Sequence, residues 1–407
     1  MSINYSIAAK HMGSSAVREI LKLTQGSQII SLAGGLPAED LFPLEAVRDA
    51  YSKVLSSNAS VLQYGVTEGY GPLRDKIAAR LSSLKKIPVS SSEILLTTGS
   101  QQAIDLICKI LLDPGDAVLV EAPTYLAALQ VLGSYRAGIH SVVTDEYGML
   151  PDHLEAQLKK YKPKLLYAVP TFSNPRGSSW SEERRIRTVE LCRQYGTLIL
   201  EDDPYGEISF NRGSSASFLP TLAAIDRSYG GGCVIYTGTF SKIVAPALRT
   251  GWVAAESEVI QTLTKAKQAA DLHSSAIDQR ALDQLLLDFD LEQHISLITK
   301  EYHSRMLGLS AELTSRGWEG SHFIEPKGGM FLWLTLDHSI HTAELLKLAV
   351  SKGVAFVPGE VFFPSHPEQN TMRLNFTHTS PELISLAVQR LEDAITEWKH
   401  KKAASPV

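Results

Sequence analysis

The stretch Val234-Ile-Tyr-Thr-Gly-Thr-Phe-Ser-Lys242 decides how the rest of the chain is read: an apolar run that reads as a strand, then hydroxyl residues, then a lysine, with Arg249 seven positions further on. Outward from it, between about Glu93 and Ala255, short β-rich runs alternate with helical ones. That is the pattern of a mainly parallel sheet covered by helices on both faces. The spacing predicts strands at Ile94 to Thr97, Ala117 to Glu121, Ser141 to Thr144, Leu165 to Val169, Thr197 to Glu201, Val234 to Tyr236 and Thr250 to Ala254. Helices are expected at Gln101 to Leu112, Tyr125 to Leu132, Pro151 to Lys160 and Ser181 to Gln194, the last with Ser181 as N-cap and glutamates in its first turn. The fold class is α/β, with a mainly parallel seven-stranded sheet flanked by helices in a large domain.

Beyond residue 255 the pattern changes to long helices. From about Phe323 it becomes strand, helix, strand, strand, helix, at Gly329 to Leu336, Thr342 to Lys352, Val354 to Pro358, Met372 to Phe376 and Pro381 to Lys399. This tail reads as a smaller α+β domain. The turn-rich start, with Ala33-Gly-Gly-Leu-Pro37 and Leu41-Phe-Pro43, is expected to cover a cleft rather than to form core. The chain divides accordingly into an N-terminal segment, 1–45, packing on the small domain and the site, a large domain, 46–310, and a small C-terminal domain, 311–407.

The chain has 407 residues, 44% of them hydrophobic, enough for two cores. Its net charge of −5 is spread along the sequence, which argues against nucleic acid or an anionic membrane as partner. Three cysteines, Cys108, Cys192 and Cys233, fall far apart in apolar patterns, as reduced buried thiols of a cytoplasmic protein would. The N-terminus lacks a basic start with an apolar run, and no run of about 18 uncharged apolar residues occurs, so secretion and membrane insertion are not expected.

Four features, each commonplace alone, occur in chain order. Thr97-Thr-Gly99-Ser100-Gln101-Gln102 joins a strand to a helix, where free backbone N–H groups and the Ser100 hydroxyl can hold a phosphate. Asn174-Pro-Arg-Gly177 follows the strand at Leu165 and places an amide where it can donate to a phenolate oxygen. Leu198-Ile-Leu-Glu-Asp202-Asp-Pro-Tyr205 is a buried strand ending in three carboxylates, of which Asp202 faces opposite to Glu201 and Asp203. At about 3 Å and an effective dielectric of about 20, a carboxylate and a protonated pyridine nitrogen attract by roughly 5 kcal/mol before desolvation. Half of that keeps the ring protonated at neutral pH, and a protonated ring accepts electrons from a carbanion. Last comes Thr239-Phe-Ser241-Lys242 with Arg249, a lysine among hydroxyls and near a forked phosphate donor, which suits a Schiff base to a phosphorylated aldehyde. The implied cofactor is pyridoxal 5′-phosphate.

With these residues the chain resembles the fold-type I pyridoxal phosphate enzymes, and among them the class I aminotransferases of the 2-aminoadipate and kynurenine/aminoadipate subgroup. The likeness runs from about Ser14 to the final helix. It rests on Ile30-Ser-Leu-Ala-Gly-Gly-Leu-Pro37, Gln63-Tyr-Gly65, Gly69-Tyr-Gly-Pro-Leu-Arg74, Gly99-Ser-Gln-Gln102, Pro123-Thr-Tyr125, Asn174-Pro-x-Gly177, Glu201-Asp-Asp-Pro-Tyr205 and Gly238-Thr-Phe-Ser-Lys242. The resemblance implies that Lys242 carries the cofactor and moves the proton at Cα, that Asp202 pairs with the pyridine nitrogen, that Asn174 and Tyr205 bond the phenolate oxygen, and that Tyr125 stacks on the ring. It implies that Ser100, Gln101, Thr239, Ser241 and Arg249 hold the phosphate, together with Tyr64 reaching across a homodimer interface. Arg373, in Thr371-Met-Arg-Leu-Asn-Phe376, matches the clamp for the substrate α-carboxylate, with Gly35 and Asn174 beside it. Arg18 matches a mobile N-terminal arginine that in some relatives meets an acidic substrate side chain. One departure is Arg176, followed by Ser178-Ser-Trp180, where the family more often carries small or β-branched residues.

The activity implied is transfer of an amino group from an L-amino acid of 2-aminoadipate, aromatic or branched-chain type to a 2-oxo acid, with 2-oxoglutarate the expected acceptor and ping-pong kinetics. Rivals are β-elimination or decarboxylation on the same scaffold, and a ligand-sensing domain of a transcription regulator. Such regulators carry an upstream helix-turn-helix, for which the stretch before the large domain is expected to be too short. No His-Glu-x-x-His pattern suggests a metal, and Gly69-Tyr-Gly-Pro-Leu-Arg74 lacks the third glycine of a dinucleotide fingerprint. His273 is expected to be structural, near the dimer interface.

Overall fold

The computed structural model describes residues 3–11, 13, 16–24, 29–211 and 219–403. Seven strands form the central sheet: β1 (Ile94–Thr97), β2 (Ala117–Glu121), β3 (Gly138–Val142), β4 (Leu165–Ala168), β5 (Leu198–Asp202), β6 (Val234–Thr239) and β7 (Gly251–Ala254), in the spatial order β1-β7-β6-β5-β4-β2-β3. All run parallel except β7, which is antiparallel to β1 and β6. Helices cover both faces, so strands such as Ile94–Thr97 and Leu165–Ala168 are buried at every residue and read as near-continuous apolar runs rather than alternating ones. Ser181 caps the helix Glu182–Tyr195 by accepting from the Arg184 N–H, as its place before two glutamates predicts.

Two expected strands need correction. The run predicted at Ser141 to Thr144 begins earlier, at Gly138, where it pairs with Ala117; Thr144–Asp145 instead forms a small hairpin with Gly148–Met149. The run Val354 to Pro358 is not one strand. Val354–Ala355 pairs in parallel with Ile30–Ser31, while Val357–Pro358 joins the second sheet.

That second sheet contains β8 (His322–Phe323), β9 (Phe331–Thr335), β10 (Val357–Pro358) and β11 (Thr371–Asn375), antiparallel in the order β8-β9-β11-β10, backed by the helices Thr342–Lys352 and Pro381–Ala403. The N-terminal segment does more than cover a cleft: Leu32, Ala33 and Ala38 are buried, and the Asn375 N–H donates to the Leu32 carbonyl. Among the described residues no helix is long and apolar enough to cross a membrane.

Sheet direction positions the site. The parallel strands all deliver their carboxyl ends to one edge, and β7 starts at that same edge because it runs the other way, with Gly251 opposite both Thr97 and Thr239. The segments after β1, β2, β4, β5 and β6 and the residues just before β7 therefore converge, as crevices at carboxyl ends do in open α/β sheets.

Candidate active site

At this edge lies a cavity of about 280 Å³. Ser100 and Gln101 enter it from the start of the helix Ser100–Leu111, Tyr125 from the turn after β2, Asn174 from the turn after β4, and Asp202 and Tyr205 from the end of β5. Thr239, Ser241, Lys242 and Arg249 close one side, and Gly35 and Arg373 reach it from the N-terminal segment and the small sheet. Two expected members lie elsewhere. Tyr64 is 78% exposed, packed edge-on against His273, and Arg18 is exposed on the helix Ala16–Thr24, whose Val17 does line the cavity.

The three acids at the end of β5 separate by face. Glu201 accepts from the backbone N–H groups of Leu222 and Ala223 at 2.9 and 2.8 Å and so caps a helix on one side of the sheet. Asp203 accepts from Lys85 at 2.7 Å and from the Tyr236 hydroxyl at 2.8 Å; burial opposes its charge, but Lys85, Tyr236 and Arg185 together outweigh that and hold the carboxyl below its ordinary range. Asp202 alone faces the cavity. Its Oδ2 accepts from the Tyr167 hydroxyl at 2.9 Å, while its buried Oδ1 has no partner within the protein. Burial pushes this carboxyl up to about 7, against the pull of Tyr167 and with a push from Asp203. A cationic N–H facing Oδ1 would reverse that cost.

Lys242 donates to the Gly35 carbonyl at 2.9 Å, and burial, then Arg373 and Arg249, lower its ammonium to about 8. A free amine is thus within reach near neutral pH. Thr239 donates to Ser241 Oγ at 2.9 Å, and its Oγ accepts from the Ser241 N–H at 3.1 Å, which folds the lysine-bearing turn. Arg249 sits in the left-handed region at φ 45° and donates to the Thr98 carbonyl at 3.0 Å. Gly99, at φ 80°, leaves room for it; a Cβ there would stand 2.7 Å from Arg249 Nη2.

Arg373 is 3% exposed. It donates to Asn174 Oδ1 at 2.8 Å and to the Ala33 carbonyl at 2.6 Å, lies over Phe331 and Phe362 with its guanidinium carbon 4.3 and 5.1 Å from their ring centres, and keeps Nε unpartnered. Burial lowers its guanidinium to about 10, which leaves it charged. Asn174 in turn lies 3.5 Å from the Tyr205 hydroxyl.

Nothing in the sequence pattern singled out Tyr167, Lys85 or Glu121. Tyr167 was legible in principle, since its register with Leu200 puts it on the face of Asp202. The unusual Trp180 belongs to the core, donating to buried Glu121 at 2.8 Å, and Arg176 reaches Thr144 at 3.0 Å.

Residues 27–391 match the family model of aminotransferases class I and II. The chain belongs to that family. It is 42% identical over 403 residues to an aromatic-amino-acid aminotransferase of Thermococcus litoralis, covering 98% of this chain and 95% of the relative. A kynurenine aminotransferase of Pyrococcus horikoshii, crystallised in complex with PMP, shares its structure with a TM-score of 0.89 and 41% identity, covering 97% of each chain. An α-aminoadipate aminotransferase of Thermus thermophilus, complexed with N-(5′-phosphopyridoxyl)-L-leucine, gives 0.89 and 36%, again with 97% of each chain covered.

The protein is thus a fold-type I aminotransferase, an enzyme that uses pyridoxal phosphate. The cavity fits that group on its own chemistry. Three buried polar atoms around it are left without protein partners: Asp202 Oδ1 and Ser100 Oγ suit the cofactor's ring N–H and phosphate, and Arg373 Nε suits a carboxylate of the substrate.

Proposed function

We propose that this aminotransferase takes the amino group from an aromatic or branched-chain L-amino acid and passes it to a 2-oxo acid, with 2-oxoglutarate as acceptor, in a ping-pong cycle. The observation that carries this reading is one cavity shared by an amine-forming lysine, a partnerless aspartate oxygen and a buried arginine with a spare N–H.

Pyridoxal phosphate, when bound, supplies an aldehyde that condenses with amines and a ring that withdraws the electrons left on Cα. Asp202, anchored by Tyr167, presents its free oxygen to the ring nitrogen and holds positive charge there. Ser100, Gln101, Thr239, Ser241 and Arg249 would hold the phosphate, Asn174 and Tyr205 would bond the phenolate oxygen, and Tyr125 would pack on the ring. Lys242 takes the proton from Cα as a free amine and returns it on the other side of the transfer. Arg373, its angle fixed by Asn174 and with Gly35 beside it, would grip the α-carboxylate and so orient the donor's Cα towards Lys242.

The donor side chain meets Val17, Leu126, Ala127 and Phe362, an apolar wall. An acidic donor such as 2-aminoadipate would draw on Arg18, which is exposed here. The division into residues 1–45, 46–310 and 311–407, a cytoplasmic location, and a homodimer in which Tyr64 of the partner subunit completes the phosphate site belong to the same proposal.

A survey of kcat/KM over aromatic, branched-chain and acidic donors, with wild type and Arg18→Ala, tests it. Aromatic and branched donors are expected to lead in both proteins. A preference for acidic donors that vanishes in Arg18→Ala would overturn the substrate assignment and leave the transfer chemistry standing.

A further inference from the structure

Lys267 has no part in the chemistry above, yet its side chain is 0% exposed. Burying an ammonium this fully is costly unless each N–H finds a partner. Here all three do: Nζ donates to Gln102 Oε1 at 2.8 Å, to Asp271 Oδ2 at 2.9 Å and to Ser274 Oγ at 2.9 Å. Burial still pulls the ammonium below its ordinary range, with Asp271 opposing that pull.

Each partner leads to one residue, Thr98. Gln102 Oε1 also accepts from the Thr98 N–H at 2.8 Å, Ser274 Oγ lies 2.9 Å from the Thr98 hydroxyl, and Asp271 steadies Gln102 by accepting from its Nε2 at 2.6 Å. The remaining polar group of Thr98, its carbonyl, accepts from Arg249. Thr98 is therefore tied at every polar atom, one step before Gly99 and two before Ser100, whose buried hydroxyl is left without a partner at the cavity. The same corner steadies the segment bearing Tyr64, because the His273 ring beside Ser274 accepts from the Gly65 N–H at 3.2 Å.

We propose that Lys267 is a positioning residue for the cofactor phosphate: through Gln102 and Ser274 it fixes Thr98, and so sets the spacing between the Ser100 hydroxyl and the Arg249 guanidinium. Asp271 neutralises its charge, so the effect is geometric rather than a long-range attraction. The inference rests on the proposal that Ser100 and Arg249 hold the phosphate.

The test compares release rates from holoenzyme loaded with pyridoxal phosphate and from the same protein loaded with pyridoxal, for wild type, Lys267→Met and Ser274→Ala. Lys267→Met is expected to release pyridoxal phosphate about tenfold faster, equivalent to about 1.4 kcal/mol, with pyridoxal release unchanged. Ser274→Ala is expected to give about threefold, as the loss of one neutral hydrogen bond would. If wild type releases both compounds at one rate, the phosphate site itself is wrong. If wild type discriminates and both variants keep its ratio, or speed both compounds equally, the role of Lys267 is overturned. Should Lys267→Met not fold, the ratio in Ser274→Ala decides by the same criteria.

Discussion

Tyr167 on β4 donates its hydroxyl to Asp202 on the neighbouring β5 at 2.9 Å, and this bond decides which carboxylate oxygen faces the cavity. Tyr167 is 1% exposed, and its own proton is held tightly because burial and the Asp202 charge both oppose a phenolate. It is therefore a fixed donor. It stabilises the charged form of Asp202, against burial that favours the neutral one.

Tyr167→Phe should accordingly raise the proton affinity of Asp202 while leaving the packing of the ring in place. The expected result is a drop in kcat/KM of about tenfold at neutral pH, the scale of a hydrogen bond to a charged group. The acid limb of the kcat/KM profile should move to higher pH. A profile that falls uniformly, with its acid limb unmoved, would show that Tyr167 acts on something other than Asp202.

Lys242 carries a pH signature of its own. Its ammonium titrates at about 8 in the folded protein against an ordinary 10.5, because burial and two arginines disfavour the charge. Between those values the unfolded chain binds more protons than the folded one, so stability rises with pH across that window, and below about 8 the full cost is present. Cofactor-free Lys242→Met should melt above cofactor-free wild type at pH 7, with the gap closing as pH climbs from 8 towards 10.5. Loss of the amine should also lower turnover by about 10⁴-fold or more. Thermal melts at several pH values and borohydride trapping of the cofactor at Lys242 in the wild type check the two halves.

The group proposed to meet Arg373, the α-carboxylate, is one that every donor shares. Arg373→Lys keeps a charge and loses the planar fork, together with the bonds that Nη1 and Nη2 make to Asn174 and Ala33. A loss in kcat/KM of about 10²-fold, equal for aromatic, branched-chain and acidic donors, is expected. A loss confined to one donor class would move Arg373 from the α-carboxylate to the side-chain subsite.

The sheet and its carboxyl edge were legible because strands buried on both faces leave continuous apolar runs such as residues 94–96 and 198–200, and because Asp202 ends the strand Leu198–Asp202 while Lys242 and Arg249 lie close beside the strands Val234–Thr239 and Gly251–Ala254. Gly138 carries no side chain to signal a strand, so β3 was placed too late; its start is set by pairing with Ala117, a tertiary fact. Val354 to Pro358 reads as one apolar run, but its halves pair with different segments far apart in sequence. Lys267 and Glu121 were illegible for a related reason: a single charged residue in a pattern looks solvated until its partners, here Gln102 and Ser274 or Trp180, are brought to it by folding. The burial of Arg373 is likewise a tertiary fact, since its guanidinium lies over the rings of Phe331 and Phe362.

The role proposed for Tyr64 depends on a second copy of the chain. A tyrosine 78% exposed, held by its neighbour Gly65 against His273 and flanked by exposed Leu62 and Val66, suits a surface that another subunit covers. In a two-fold dimer each active site would then draw Lys242 from one subunit and Tyr64 from the other. Mixing Lys242→Ala with Tyr64→Ala, each poorly active alone, should rebuild one intact site in every hybrid dimer. Random reassortment makes half the dimers hybrid with one working site of two, so activity should recover to about a quarter of wild type. If Tyr64 served its own subunit, or no site at all, the mixture would show no more than the average of its parents.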